Sequence, residues 1–248
     1  MPLHSISSLA PVAAWFKARR GRLLALFACV LAPLYLFGEL AEKIREGEPF
    51  AFDEAILRLM QGHASESLDR LMLLASTLGS GPVVGSVDVL VCLLLLVRRR
   101  RFDALFWALA TGGAALLNSL AKHSYGRIRP DLWVSIAPET SFSFPSGHAM
   151  QSTALVAALL VLLWPTAARL PLLLVGILFA ALVGISRIYL GVHYPSDILA
   201  GWAASTAWVS GLSFLFYRHA VRHPPRPPTA AADSSMLDRP THGASPPS

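Results

Sequence analysis

Residues 141–164 read SFSFPSGHAMQSTALVAALLVLLW, a polar turn that runs directly into an apolar segment with the length of a helix buried in hydrocarbon. Ser146 follows Pro145 as a natural helix cap, and every residue from Ala154 to Trp164 is apolar. The reading that decides the fold is therefore a membrane span with Ser-Gly-His at its mouth.

Comparable apolar segments lie at about 22–40, 80–97, 103–121, 170–187 and 197–217, which with 147–164 makes six expected spans in an all-α bundle. Composition agrees, since 54% of the 248 residues are hydrophobic, only 15% are charged, and the mean hydropathy is +0.53. The amphipathic piece from Phe50 to Leu78 carries Asp53, Glu54, Arg58, Asp69 and Arg70 and reads as interfacial helices before the second span. Cys29 and Cys92 fall inside apolar runs and are expected to be free thiols. Three units follow: an N-terminal segment (1–21), a membrane domain (22–217) and a tail (218–248) rich in Pro, Ala and Ser that is expected to be disordered.

The net charge of +6 does not imply nucleic acid, because most basic residues flank the apolar runs. Lys17, Arg19, Arg20 and Arg22 precede the first span, Arg98 to Arg101 separate the second and third, Arg169 separates the fourth and fifth, and Arg218, Arg222 and Arg226 follow the sixth. With six spans these groups share one side, which the positive-inside rule makes cytoplasmic along with both termini. The first span lacks a small-residue cleavage pattern and reads as a retained anchor.

Three polar blocks then fall on the opposite face: AKHSYGRIRPD (121–131), FPSGH (144–148) and SRIYLGVHYPSD (186–197). Lys122, Arg129 and Arg187 offer the positive charge and N–H donors that hold a phosphate dianion. Ser146 and Gly147 open a helix, whose free N–H groups and dipole favour an anion. Asp197 follows His193 by four residues, a spacing that on a helix orients one imidazole nitrogen and leaves the other free to attack. His148 is then the candidate general acid, and the set describes phosphoryl transfer through a phosphohistidine. Singly, each residue has a plainer reading: Lys122 and Arg129 as snorkelling side chains, Ser146 as a cap, Asp197 as a first-turn carboxylate. Their occurrence together on one face favours the site. A metal site of His148, His193 and Asp197 is the competing arrangement, opposed by the three cations that would surround it. His4, His63, His123, His219, His223 and His242 read as passive polar residues.

The three blocks resemble the signature of the type 2 phosphatidic acid phosphatase superfamily: Lys, six residues, Arg-Pro; then Pro-Ser-Gly-His; then Ser-Arg, five residues, His, three residues, Asp. Every position matches, and the resemblance spans about residues 80–215. It implies a six-span helical membrane phosphatase with His193 as nucleophile, Asp197 orienting it, His148 as acid, and Lys122, Arg129, Ser146, Gly147 and Arg187 binding phosphate, with no metal or other cofactor. The partners implied are a lipid phosphate or diphosphate and the surrounding membrane lipids, at the outer face of a bacterial cytoplasmic membrane. Arg127, outside the signature, is the candidate contact for a second phosphate or for anionic head groups, and undecaprenyl diphosphate is the expected substrate. Phosphatidate, phosphatidylglycerol phosphate, and transfer to another lipid are the alternatives, with a non-catalytic scaffold last.

Overall fold

Leu23–Glu46 forms one apolar helix of 24 residues, α1, which contains a single π-helical turn at Phe27–Leu31. It stops at Gly47, whose φ of 74° is the left-handed geometry that closes a helix C-terminus. The computed structural model describes residues 20–217 except 22, so the expected disordered tail and all but two residues of the expected N-terminal segment lie outside the described residues. Seven helices follow α1 among the described residues: α2 Ala51–Gly62, α3 Glu66–Leu78, α4 Gly81–Val97, α5 Arg101–Tyr125, α6 Gly147–Leu163, α7 Arg169–Tyr189 and α8 Pro195–Tyr217. Their ends follow local chemistry. Ser65 caps α3, Pro82 sits in the first turn of α4, and Gly126, with φ 58°, terminates α5.

Helix α6 is the hub and packs against α4, α5, α7 and α8. The seam with α5 and α8 is made of small residues, Ala110, Ala114, Ala154 and Ala158, interleaved with the fully buried Phe106, Trp107 and Val209. Small side chains let backbones approach, which is how helices associate where lipid removes any hydrophobic drive between them. Large apolar side chains instead cover the outside: Leu90, Leu93, Leu116, Leu120, Leu174 and Leu178 are all exposed. A hydrophobic exterior around a small-residue interior suits a bilayer.

The expectation of six spans is met only in part. Four helices, α1, α5, α7 and α8, are long and apolar enough to cross by themselves, and α3 with α4, bent by 41°, passes the same test as one broken span. The segment expected to be interfacial thus contributes α3 to that bent pair. At 17 residues, α6 is the shorter apolar helix, because it begins at Gly147 inside a polar site rather than at the rim of the bundle. At about 1.5 Å per residue it covers roughly 25 Å.

Gly201 of α8 faces the start of α6 so closely that a Cβ there would lie 2.9 Å from the Cβ of Ala149 and 3.0 Å from the Ser146 carbonyl oxygen. Backbone cannot yield cheaply. Gly201→Val is therefore expected to destabilise the fold by about 1–3 kcal/mol through overpacking. Thermal unfolding in detergent checks this against Gly112→Ala, where a Cβ meets nothing within 4 Å and no such loss is expected.

Candidate active site

The segment 126–146 and the turn 190–194 lie at the same end of the bundle, opposite the end where Tyr217 of α8 donates to Asp103 of α5 at 2.6 Å. Gly191 makes the second turn possible. Its φ is 69°, and a Cβ would lie 2.6 Å from the indole of Trp133. The turn delivers His193, 1% exposed, above the first turn of α8, where Asp197 is fully buried.

His193 Nδ1 lies 3.3 Å from Asp197 Oδ2, and its Nε2 lies 3.1 Å from Arg129 Nη1. A guanidinium only donates, so Nε2 is assigned as the acceptor and Nδ1 as the protonated nitrogen facing the carboxylate. Burial holds the imidazole pKa down to about 4, against the bond from Asp197 and with the Arg129 charge adding to the effect. The neutral ring presents its Nε2 lone pair to a cationic pocket.

That pocket is built from three chain segments. Arg129 donates from Nε to the Ser141 carbonyl and from Nη1 to the Val192 carbonyl, both at 2.6 Å. Lys122, in the last turn of α5, donates to Ser141 Oγ at 2.8 Å, and Arg129 Nη2 reaches the same oxygen at 3.1 Å. Arg187, in the last turn of α7 and 2% exposed, bonds Ser76 of α3, and its Nε is buried without a partner. His148 lines a cavity of about 490 Å³ together with Arg187, Ser76, Ser80 and Glu139.

Ser146 serves both ends of this arrangement. Its hydroxyl accepts from the Ala149 N–H as the α6 cap, and its own N–H donates to the Asp197 carbonyl at 3.1 Å. Gly147 sits against Asn118, whose Oδ1 would be 3.1 Å from any Cβ there. Beyond the cap, the first turn of α6 aims backbone N–H groups outward, the geometry that receives anions. All eight residues expected at the site thus gather at one end of the molecule.

Arg127 departs from its expected role. Its Nη1 donates to Asp197 Oδ1 at 2.5 Å and Ser196 Oγ at 2.7 Å, and its Nη2 donates to Asp53 Oδ2 at 2.8 Å. Its guanidinium is thus held by two carboxylates behind His193. Three residues were not foreseen: Asp53, Ser76 and Glu139. Glu139 pairs with Arg187 at 2.5 Å and with Arg129 at 3.5 Å, and these guanidiniums depress its pKa despite the opposing effect of burial. Nothing local marks it, because a single carboxylate in a loop has no spacing to read. Among the described residues no three His, Cys, Asp or Glu side chains form a metal-binding group. Cys29 and Cys92 are free.

An all-helical bundle with an apolar exterior and a buried imidazole among cations defines a membrane protein with an anion-receiving site. Comparison with known proteins gives the family: residues 103–220 match the PAP2 superfamily. The chain is 32% identical over 170 residues to phosphatidylglycerophosphatase B of Bacillus subtilis, a match covering 66% of this chain and 83% of that one. It is 31% identical over 194 residues to the undecaprenyl-diphosphatase of Sulfolobus acidocaldarius, covering 74% and 88%. The crystal structure of a transmembrane PAP2 type phosphatidylglycerolphosphate phosphatase from Bacillus subtilis superposes with a TM-score of 0.67 at 28% identity, over 79% of this chain and 97% of that one. The chain belongs to the PAP2 superfamily.

The depressed pKa of His193 has a thermodynamic consequence. Between its folded value of about 4 and its ordinary value of 6.5 the unfolded chain binds more protons than the folded one. Stability is therefore expected to fall as pH drops from 6.5 through about 4. Thermal unfolding in detergent across that range should show a smaller pH dependence in His193→Gln than in the parent.

Proposed function

We propose that this protein is a membrane lipid phosphatase that works through a phosphohistidine on His193. The observation that carries the reading is the pose of His193: Asp197 behind Nδ1 and a cationic pocket in front of Nε2. In the first step Nε2 attacks phosphorus and the bond from phosphorus to the lipid oxygen breaks. Lys122, Arg129, Arg187 and the first-turn N–H groups of α6 neutralise the phosphoryl oxygens, and His148 gives its proton to the departing oxygen. In the second step His148 takes a proton from water, whose oxygen attacks phosphorus and releases inorganic phosphate from His193. Glu139 pairs with Arg187 and Arg129, and an incoming phosphate takes over those donors.

The substrate is a lipid phosphate, and the cavity of about 490 Å³ that holds His148, Arg187 and Glu139 lies beside the break between α3 and α4. The expectation of a diphosphate leaned on Arg127, which faces Asp53 and Asp197 instead. Lys122, Arg129 and Arg187 suffice for one phosphate group, so a phosphate monoester such as phosphatidylglycerol phosphate is the first substrate to test. Undecaprenyl diphosphate is the second reading, favoured by the 31% identity to an enzyme named for it. The site belongs to the outer face of the membrane, with six crossings and both termini inside. This orientation rests on the grouping of Arg98 to Arg101 and Arg169 at turns opposite the site.

Release of inorganic phosphate from purified protein and a panel of lipid phosphates tests the reading directly. His193→Ala is expected to abolish release, whereas Asp197→Asn retains a weak residual rate because orientation and charge stabilisation are lost but the nucleophile remains. Equal, modest losses from the two changes would count against a histidine nucleophile. A requirement for an acceptor lipid would make the protein a transferase.

The same assay addresses metals. With side chains supplying the positive charge, EDTA is expected to leave the rate unchanged. Loss on chelation that is restored by Mg²⁺ or Zn²⁺ overturns this mechanism.

A further inference from the structure

Behind Asp197 lies a second carboxylate that the proposed mechanism does not use. Asp53 of α2 is 4% exposed, in a helix otherwise dominated by surface-facing side chains. It lies outside residues 103–220, where the family pattern falls. Its Oδ2 accepts from Arg127 Nη2 at 2.8 Å and from Ser196 Oγ at 2.6 Å, and its Oδ1 accepts from the Ser196 N–H at 2.9 Å. Arg127 Nη1 in turn donates to Asp197 Oδ1 at 2.5 Å, while Asp197 Oδ2 takes the Tyr194 N–H at 2.9 Å and faces His193. The ring of Tyr194 lies 4.0 Å from the Arg127 guanidinium and fixes its plane.

We propose that Asp53 is a positioning residue for this site: through Arg127 and Ser196 it fixes the far oxygen of Asp197, and so the orientation of His193. The inference rests on the reading of His193 as the nucleophile.

Two features separate this role from that of a tether between helices. First, every donor of Asp53 belongs to a group that touches Asp197 or its backbone neighbour, so a rotation of Asp53 is transmitted to the His193–Asp197 pair. Ser196 sits directly before Asp197, and its N–H and hydroxyl both end on Asp53. Second, the charges alternate: Asp53, Arg127 and Asp197 together leave one net negative charge behind a neutral imidazole. Without Asp53 the guanidinium is matched by Asp197 alone. That negative charge is what opposes the positive charge the ring acquires when Nε2 bonds to phosphorus.

Kinetics of lipid phosphate hydrolysis by the full-length protein in detergent test this, using Asp53→Asn, Asp197→Asn and the double variant. Asp53→Asn keeps the shape and removes the charge, and is expected to lower kcat about tenfold or more while KM moves less than about threefold. In the Asp197→Asn background the same change is expected to have an effect below about threefold, because the residue it acts through is already altered. A kcat for Asp53→Asn within about threefold of the parent, or losses that multiply in the double variant, overturns the inference. His193→Ala in the same assay separates the two claims: activity there removes the nucleophile reading, whereas parental activity in Asp53→Asn removes only the role of Asp53. If Asp53→Asn elutes as aggregate, Ser196→Ala, which removes the hydroxyl between Arg127 and Asp53, takes its place in the cycle with the same two deciding outcomes.

Discussion

Asp197 has no solvent exposure, and a buried carboxylate is tolerable only when its oxygens are fully matched. Its side chain receives Arg127 on one oxygen and the Tyr194 N–H on the other, beside His193, while its backbone carbonyl receives the Ser146 N–H. Those partners come from the 126–146 segment, the 190–194 turn and the mouth of α6. A single buried charge thus gathers the parts of the site, and Asp53 extends the same network to α2.

The second organising constraint is the hydrocarbon. Helices α4, α5, α7 and α8 expose large apolar side chains, and alanines line the contacts of α5 with α6, so the cluster of buried charges lies at the helix ends. At one end the arginines between α4 and α5 are solvated and pair only locally, as Arg100 does with Asp103. At the other, Arg127, Arg129 and Arg187 are substantially buried and each meets a carboxylate. Arg129 and Arg187, held away from water near a neutral imidazole, lie where charges interact more strongly than in bulk solvent. Glu139 lies in that field, paired with both Arg187 and Arg129.

The break between α3 and α4 borders this charged pocket. Ser76 and Ser80 flank the bend, and both line the cavity that holds His148, Arg187 and Glu139.

Much of this was written in the sequence. Apolar runs located the core of every long helix, because hydrophobicity over about 20 residues is a local property. The Lys122–Pro130, Pro145–His148 and Ser186–Asp197 blocks identified the residues that converge, since spacing along a helix and a cap at its mouth are also local. What the sequence left open were pairings between distant segments. Arg127 is positively charged in any reading, but only the fold pairs it with Asp197, 70 positions away, and with Asp53, 74 positions away. Asp53 itself read as one charge on an amphipathic surface helix, because periodicity cannot say which polar side chain turns inward. Glu139 was hidden for the same reason. Side-chain type and helical period are fixed by the chain, whereas the partner that neutralises a buried charge is fixed by whichever segments the tertiary structure brings within hydrogen-bonding distance.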